Sequence, residues 1–226
     1  MQERSEKTRR RLVHAGAEMF DLKGYANATL IDIADAAGVT KGALYFHFAS
    51  KEDLAEAVRQ RGHHLVGEVL RAAADGRHTP LQALIDLTHW LARTLQEDPM
   101  LRAAYRITGE QAGNDRPTGP GFHQTCIAAG RHLLQRARTA GELRQPAVEE
   151  GAETLVDAAL CGIEVLSRGG MTYDELSGRI GALWDLMLPI LVPPGAEAAY
   201  RTSAPAKDPA TGGRGMREPA TGGRQD

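Results

Sequence analysis

Thr40, Lys41, Gly42, Ala43, Tyr45 and His47 fall within one eight-residue stretch. Hydroxyls, a cation and an imidazole address phosphate and base edges, and the small residues between them let a backbone approach closely. Ala43 can also touch a thymine methyl. Thr29 before this stretch and Lys51 after it are further phosphate candidates. A second set, His123 with Cys126 and the pair His63 and His64, has the residue types of nucleophilic or metal chemistry but not its pattern. No Asp or Asn stands out to orient a Cys–His pair, and G-x-S-x-G, CxxC and HExxH are all absent from the sequence. An enzyme, a cofactor and a metal site are therefore not expected. The chemistry points to DNA.

The elements that must position these residues are helices. Apolar residues at helical spacing over 6–23 end at Gly24, and Thr29 is an N-cap for 30–37 with Asp32 at the capping-box position. Gly38 breaks that helix, Thr40 caps the next over 41–48, and Ser50 caps a long one over 51–74. Two short helices joined at Gly38 form a helix-turn-helix over about 31–50. Ile33, Ala34, Val39 and Leu44 make its core, and the second helix lies outside, free to enter a major groove. Phe46 and Phe48 are expected in that core, and Tyr45 and His47 outside it. Further helices are expected over 80–95, 99–109, 122–140, 146–168 and 172–191, with a loop over 113–121. No segment alternates with period two, so the fold is all-α: an N-terminal three-helix DNA-binding domain (1–50) and a helical ligand-binding and dimerisation domain (51–193). From 194 the chain turns rich in Pro, Gly and Ala, and Asp208–Arg214 recurs as Glu218–Arg224. Too little apolar side chain remains there to offset the entropy of ordering, so a disordered tail is expected over 194–226.

Charge supports this division weakly. The first 51 residues carry +2 and the remainder −4. A sequence-indifferent, architectural DNA binder needs a broader basic surface than that. Two cysteines exclude a disulfide framework, and no apolar run is long enough to cross a membrane or precedes a cleavage site, so a cytoplasmic location is expected.

The stretch 39–54, VTKGALYFHFASKEDL, preceded by Phe20, Gly24, Tyr25, Thr29, Ile33 and Ala34, closely resembles the DNA-binding domain of TetR-family transcriptional regulators. The resemblance covers about residues 9–58. It implies a homodimer that binds a near-palindromic double-stranded DNA operator, usually a repressor released by a small molecule. Residues 40–48 and the segment 133–143, LLQRARTAGEL, look most like the γ-butyrolactone receptors of actinomycetes, which implies control of secondary metabolism and antibiotic production. Such receptors carry a ligand-contacting tryptophan early in the helix where this chain has Cys126. The alternative implied is a pseudo-receptor answering to another small molecule, such as an antibiotic or a pathway intermediate.

The body must supply an effector site and a partner face. Leu87, Trp90, Leu91, Leu95, Leu101, Tyr105, Phe122, Cys126, Leu155 and Ile163 stand at helical spacing and can line a cavity between helices. Gln111, Gln124, Thr125 and Thr154 are candidates to orient a ligand, Thr154 foremost. The last helix is apolar on more than one face. Ile180, Leu183, Trp184 and Met187 on it, with Leu155, Ala159 and Gly162 on the preceding helix, are expected at a two-fold four-helix interface.

Overall fold

The computed structural model describes residues 2–111, 121–144 and 149–205. Helices α1 (Gln2–Lys23), α2 (Leu30–Ala36), α3 (Lys41–His47) and α4 (Lys51–Ala74) are followed by α5 (Pro80–Glu97), α6 (Pro99–Gln111), α7 (Phe122–Thr139), α8 (Glu149–Arg168) and α9 (Tyr173–Leu191). No strand occurs among the described residues. The expected helix ends agree to within a few residues. The caps explain why: Thr29, Thr40, Ser50, Thr79 and Thr172 each accept a hydrogen bond from the backbone three residues on. Pro146, expected to open α8, lies outside the described residues.

Two hydrophobic cores divide the molecule, and α6 belongs to both. The N-terminal core gathers Leu12, Phe20, Ile33, Leu44 and Phe48 with Leu54 and Val58 of α4 and Met100, Ala103 and Ile107 of α6. Leu101 and Ala104, on the opposite face of α6, pack into the body core with Phe122, Leu84, Leu91 and Trp184. The DNA-binding unit is therefore not closed at residue 50. Three short helices bury too little apolar surface alone, and α4 and α6 complete it. Close packing continues the joint: a Cβ at Gly62 of α4 would lie 2.8 Å from the Ala104 Cβ.

In the body, α5 is central, packing against α7, α8 and α9. Trp184 of α9 is 1 % exposed, and its indole N–H donates to Thr88 Oγ1 at 3.0 Å. The first part of the expected tail is docked, contrary to the disorder that its composition suggests. The Arg201 amide donates to Gln82 Oε1 (2.8 Å), Gln82 Nε2 donates to the Arg201 carbonyl (3.0 Å), and His89 Nε2 donates to the Thr202 carbonyl (2.7 Å). Arg201 also pairs with Asp86 (2.7 Å), and the Tyr200 hydroxyl donates to Glu142 Oε2 (3.0 Å). Polar contacts to α5 and to Glu142 thus add to the little apolar burial that Ala196 and Tyr200 supply. The repeat at 208–224 lies outside the described residues.

Candidate DNA-reading surface and effector region

The reading helix α3 is held by its inner face and open on the other. Leu44 is fully buried, whereas Lys41, Gly42 and Tyr45 are exposed and Ala43 and His47 are half-buried. The Lys41 ammonium sits 5.8 Å from the Tyr45 ring centroid, so a cation and a phenol share one outward patch. A Cβ at Gly42 would meet nothing within 4 Å. No contact within the chain requires glycine there. Thr40 Oγ1 accepts from the Ala43 amide (3.2 Å), which leaves its hydroxyl proton available to an acceptor outside.

Phe46 departs from expectation. It is 79 % exposed, and its ring meets His47 edge-on at 5.2 Å. Phe48 alone enters the core, with the Arg9 guanidinium over its ring at 5.3 Å. Period 3.6 separates the two, since Leu44 and Phe48 share a face that Phe46 cannot join.

Thr29 and Lys51, expected at phosphates, are engaged inside the protein. Thr29 Oγ1 donates to Asp32 Oδ2 (2.8 Å) and accepts from the Asp32 amide (3.1 Å). Lys23 at 3.0 Å is the main cause holding the Asp32 carboxyl below its ordinary range, and Thr29 adds to it. Lys51 Nζ donates to the carbonyls of Tyr25 (2.8 Å), Ala26 (3.2 Å) and Ala28 (3.2 Å) and lies over the Tyr25 ring. All three ammonium protons therefore close the α1–α2 loop. Arg11, which the sequence did not single out, braces the turn at Gly38 (φ +60°) by donating to the Ala37 carbonyl at 2.5 Å. Arg11 stands 26 residues before Ala37, so no local signal points to it.

Among the expected effector residues, Leu87, Leu91, Phe122 and Cys126 share one buried cluster, with Trp90 and Tyr105 half-buried against it. Thr154 is exposed on α8 and is not brought to this group. Gln124 and Thr125 bond to Gly121 at the start of α7, so their polar atoms serve the helix terminus. The Gln111 side chain lies outside the described residues.

The structure adds a polar element that sequence spacing missed. Glu164 on α8 is 1 % exposed; its Oε2 accepts from His123 Nδ1 at 2.5 Å, and its Oε1 has no hydrogen-bond partner. Burial raises the Glu164 pKa, and the hydrogen bond from His123 opposes the rise. The sulfur nearest the other imidazole nitrogen is that of Cys161, at 3.7 Å, not that of Cys126. An orienting acid for His123 therefore exists, 41 residues away in sequence. Burial pushes both thiols up, with the Glu164 charge adding to it. Neither sulfur is thereby activated as a thiolate, and the group stands as a polar cluster inside an apolar body.

The outer side of α8 and α9 carries an apolar groove of about 240 Å³, lined by Leu155, Ala159, Gly162, Ile180 and Leu183 among others. Val165, Leu186 and Ile190 extend this face at 63 %, 72 % and 54 % exposure. Trp184 and Met187, expected on it, point inward instead. Helix α9 is apolar on two faces, and Trp184 and Met187 lie on the inner one while Leu183 borders the groove.

Residues 12–58 match the family described as bacterial regulatory proteins of the tetR family. The A-factor receptor protein of Streptomyces griseus is 31 % identical over 199 residues, covering 87 % of this chain and 68 % of the relative. A crystal structure of a gamma-butyrolactone receptor (ArpA-like protein) superposes with TM-score 0.68 at 30 % identity, covering 87 % of this chain and 93 % of that one. The TetR family protein CprB from Streptomyces coelicolor, solved with its biological operator sequence, superposes with TM-score 0.69 at 34 % identity, covering 87 % and 94 %. This chain belongs to the TetR family of bacterial regulatory proteins, which are DNA-binding transcription regulators and not enzymes.

Proposed function

We propose that the chain is a homodimeric repressor that reads a near-palindromic operator with α3 of each protomer. A small γ-butyrolactone-like effector in the body releases it, placing secondary metabolism under its control. The observation that carries this reading is α3 itself: it is anchored by Leu44 and exposes Lys41, Tyr45 and an internally unneeded Gly42. A two-fold through the apolar face of α8 and α9 sets two such helices toward successive major grooves. The effector lies by Tyr105, Phe122 and Cys126, where α6 and α7 meet α4 at Gly62. Movement there reaches the reader through α4 and α6. A ligand shifts this equilibrium only by its differential affinity for the two states.

One observation favours a second reading, a receptor for a different small molecule. The buried Glu164 carboxyl, with His123 on one oxygen and the Tyr105 hydroxyl near it but no close partner on Oε1, matches an effector that donates a hydrogen bond, not one offering acceptors alone.

The test is a mobility-shift titration on the DNA upstream of the protein's own gene, with a γ-butyrolactone panel and an extract of the producing cells. Lys41→Ala and Tyr45→Ala are each expected to weaken binding about tenfold, Lys41→Ala also lowering the salt slope by about one. Unchanged affinity in both variants would sink the assignment of α3. Release by a butyrolactone supports the first reading, and release by the extract alone supports the second.

A further inference from the structure

A cleft of about 360 Å³ opens where α1, α6 and α8 meet, lined by Asp21, Leu95, Arg102, Tyr105, Arg106, Ser167 and Arg168. It lies on the seam between the two cores and involves two of the residues expected to line an effector cavity, Leu95 and Tyr105. Its lining holds three guanidiniums and the Asp21 carboxylate, and Glu110 stands beside Arg106 just outside it. Arg102 Nε donates to Asp21 Oδ2 (2.8 Å), and its Nη1 donates to the Gln96 carbonyl (2.6 Å), which fixes its orientation. Arg106 donates from Nη1 to the Asp21 carbonyl (2.5 Å) and from Nε to Glu110 Oε1 (3.1 Å). Arg168 lies over the Tyr105 ring at 4.9 Å and is attracted to the buried Glu164 carboxyl, but makes no ion pair within 4 Å among the described residues. The Ser167 hydroxyl oxygen, on the same wall, is buried with no hydrogen-bond partner.

Set against Asp21 and Glu110, the three guanidiniums leave positive charge at Arg168 beside a space of ligand size, with the unpartnered Ser167 hydroxyl buried behind its wall. Planar guanidiniums with further N–H donors match the oxygens of a carboxylate or a phosphate. A neutral ester would leave that charge uncompensated, and an amine would be repelled. Leu95 and the Tyr105 ring supply an apolar wall, so the fitting molecule has a short carbon chain behind its anionic head. We infer that this cleft is a binding site for a small amphiphilic anion, a short-chain carboxylate or phosphate ester, held by Arg102, Arg106 and Arg168. An anion pairing with Arg102 shares that guanidinium with Asp21 of α1, so the site sits on the joint between body and reader. The inference does not depend on which molecule releases the operator.

The test is calorimetric titration of the full-length protein with sodium hexanoate and with hexyl phosphate at fixed ionic strength, with hexanol and hexylamine as neutral and cationic controls. Saturable binding of one or both anions, and of neither control, is expected. Which anion binds identifies the head group. Arg168→Gln changes an exposed side chain outside the Asp21 contact, so it preserves the fold, and it is expected to weaken the anion about tenfold. Arg102→Gln is expected to abolish binding, with circular dichroism confirming that the helices persist. Absence of binding by both anions, equal binding by hexanol or hexylamine, or an Arg168→Gln variant that binds as the parent does would overturn the proposal.

Discussion

Helices α3 and α9 both present large apolar side chains to the outside, for opposite reasons. On α3, Phe46 and Tyr45 are 79 % and 48 % exposed beside Lys41 and two small residues. On α9, Leu186 and Ile190 are 72 % and 54 % exposed, and with Val165 of α8 they continue an apolar groove. The first patch mixes rings with donors, as a surface that meets a polar polymer must. The second is almost purely aliphatic, which suits the proposed contact with a second copy. Exposure of an apolar residue thus says little by itself, and its neighbours decide what will cover it.

The largest effect expected tests that distinction on α9. Leu186→Asp with Ile190→Asp places two carboxylates in each protomer on the proposed two-fold face. An unpaired charge buried at an interface costs several kcal/mol, and symmetry doubles the number. Dimer dissociation is expected to rise about a thousandfold or more, giving monomers in sedimentation with an unchanged helical spectrum. Persistence of the dimer would place its interface elsewhere.

The inner face of the same helix is expected to respond in stability instead. Trp184→Ala removes the largest fully buried side chain and leaves Thr88 Oγ1 without its indole donor. A loss of about 3–5 kcal/mol is expected in urea unfolding, measured in the monomeric double-Asp background so that association does not enter. Leu186→Ala, changing one exposed residue, is expected to stay within about 0.5 kcal/mol in a chain kept monomeric by Ile190→Asp alone. Similar losses for the two would mean that α9 has a single buried seam.

Lys51 sharpens the comparison at the reader. Lys51→Met leaves three loop carbonyls without their shared donor, so a loss of about 1–3 kcal/mol in stability is expected. A phosphate contact would instead leave stability unchanged and lower the salt slope of operator binding by about one.

The reader was legible because its signals are local. Thr29 with Asp32, the break at Gly38, the cap at Thr40 and the cap at Ser50 each lie within a few residues of what they determine. What was missed there joins distant positions: Lys51 to the loop at Tyr25, and Arg11 to Ala37. Both are cations whose type suits a phosphate equally well. In the body, apolar spacing revealed the helices but not which side of each meets what. Trp184 was placed on the partner face although Thr88, 96 residues earlier, holds it inward. His123 was noticed, but its acid stands on another helix. The docked segment around Arg201 was read as tail because composition measures apolar burial, and that segment is held by hydrogen bonds.

That segment gives the smallest effect expected. His89 is 1 % exposed; its Nε2 donates to the Thr202 carbonyl, so in the neutral ring Nδ1 accepts from Ser177 Oγ at 3.3 Å. Burial lowers its pKa below the ordinary 6.5, with Arg201 and Arg93 adding to this and the Thr202 carbonyl and Asp86 opposing it. The folded state disfavours the charged ring, whereas the unfolded chain takes up a proton near pH 6.5. The stabilisation is therefore complete above about pH 6.5 and declines as pH falls below it, by no more than about 1.4 kcal/mol per pH unit for one proton. His63, lowered chiefly by burial, contributes with the same sign. Urea unfolding at pH 7.5 and 5.5 is expected to show a loss on acidification that His89→Gln reduces without removing. Amide protection at Arg201, with the intrinsic pH dependence of exchange divided out, should fall on acidification in the parent more than in the variant. An identical pH dependence in the two proteins would mean that the contact at Thr202 is made equally well by the charged ring, and that the docked segment does not sense its protonation.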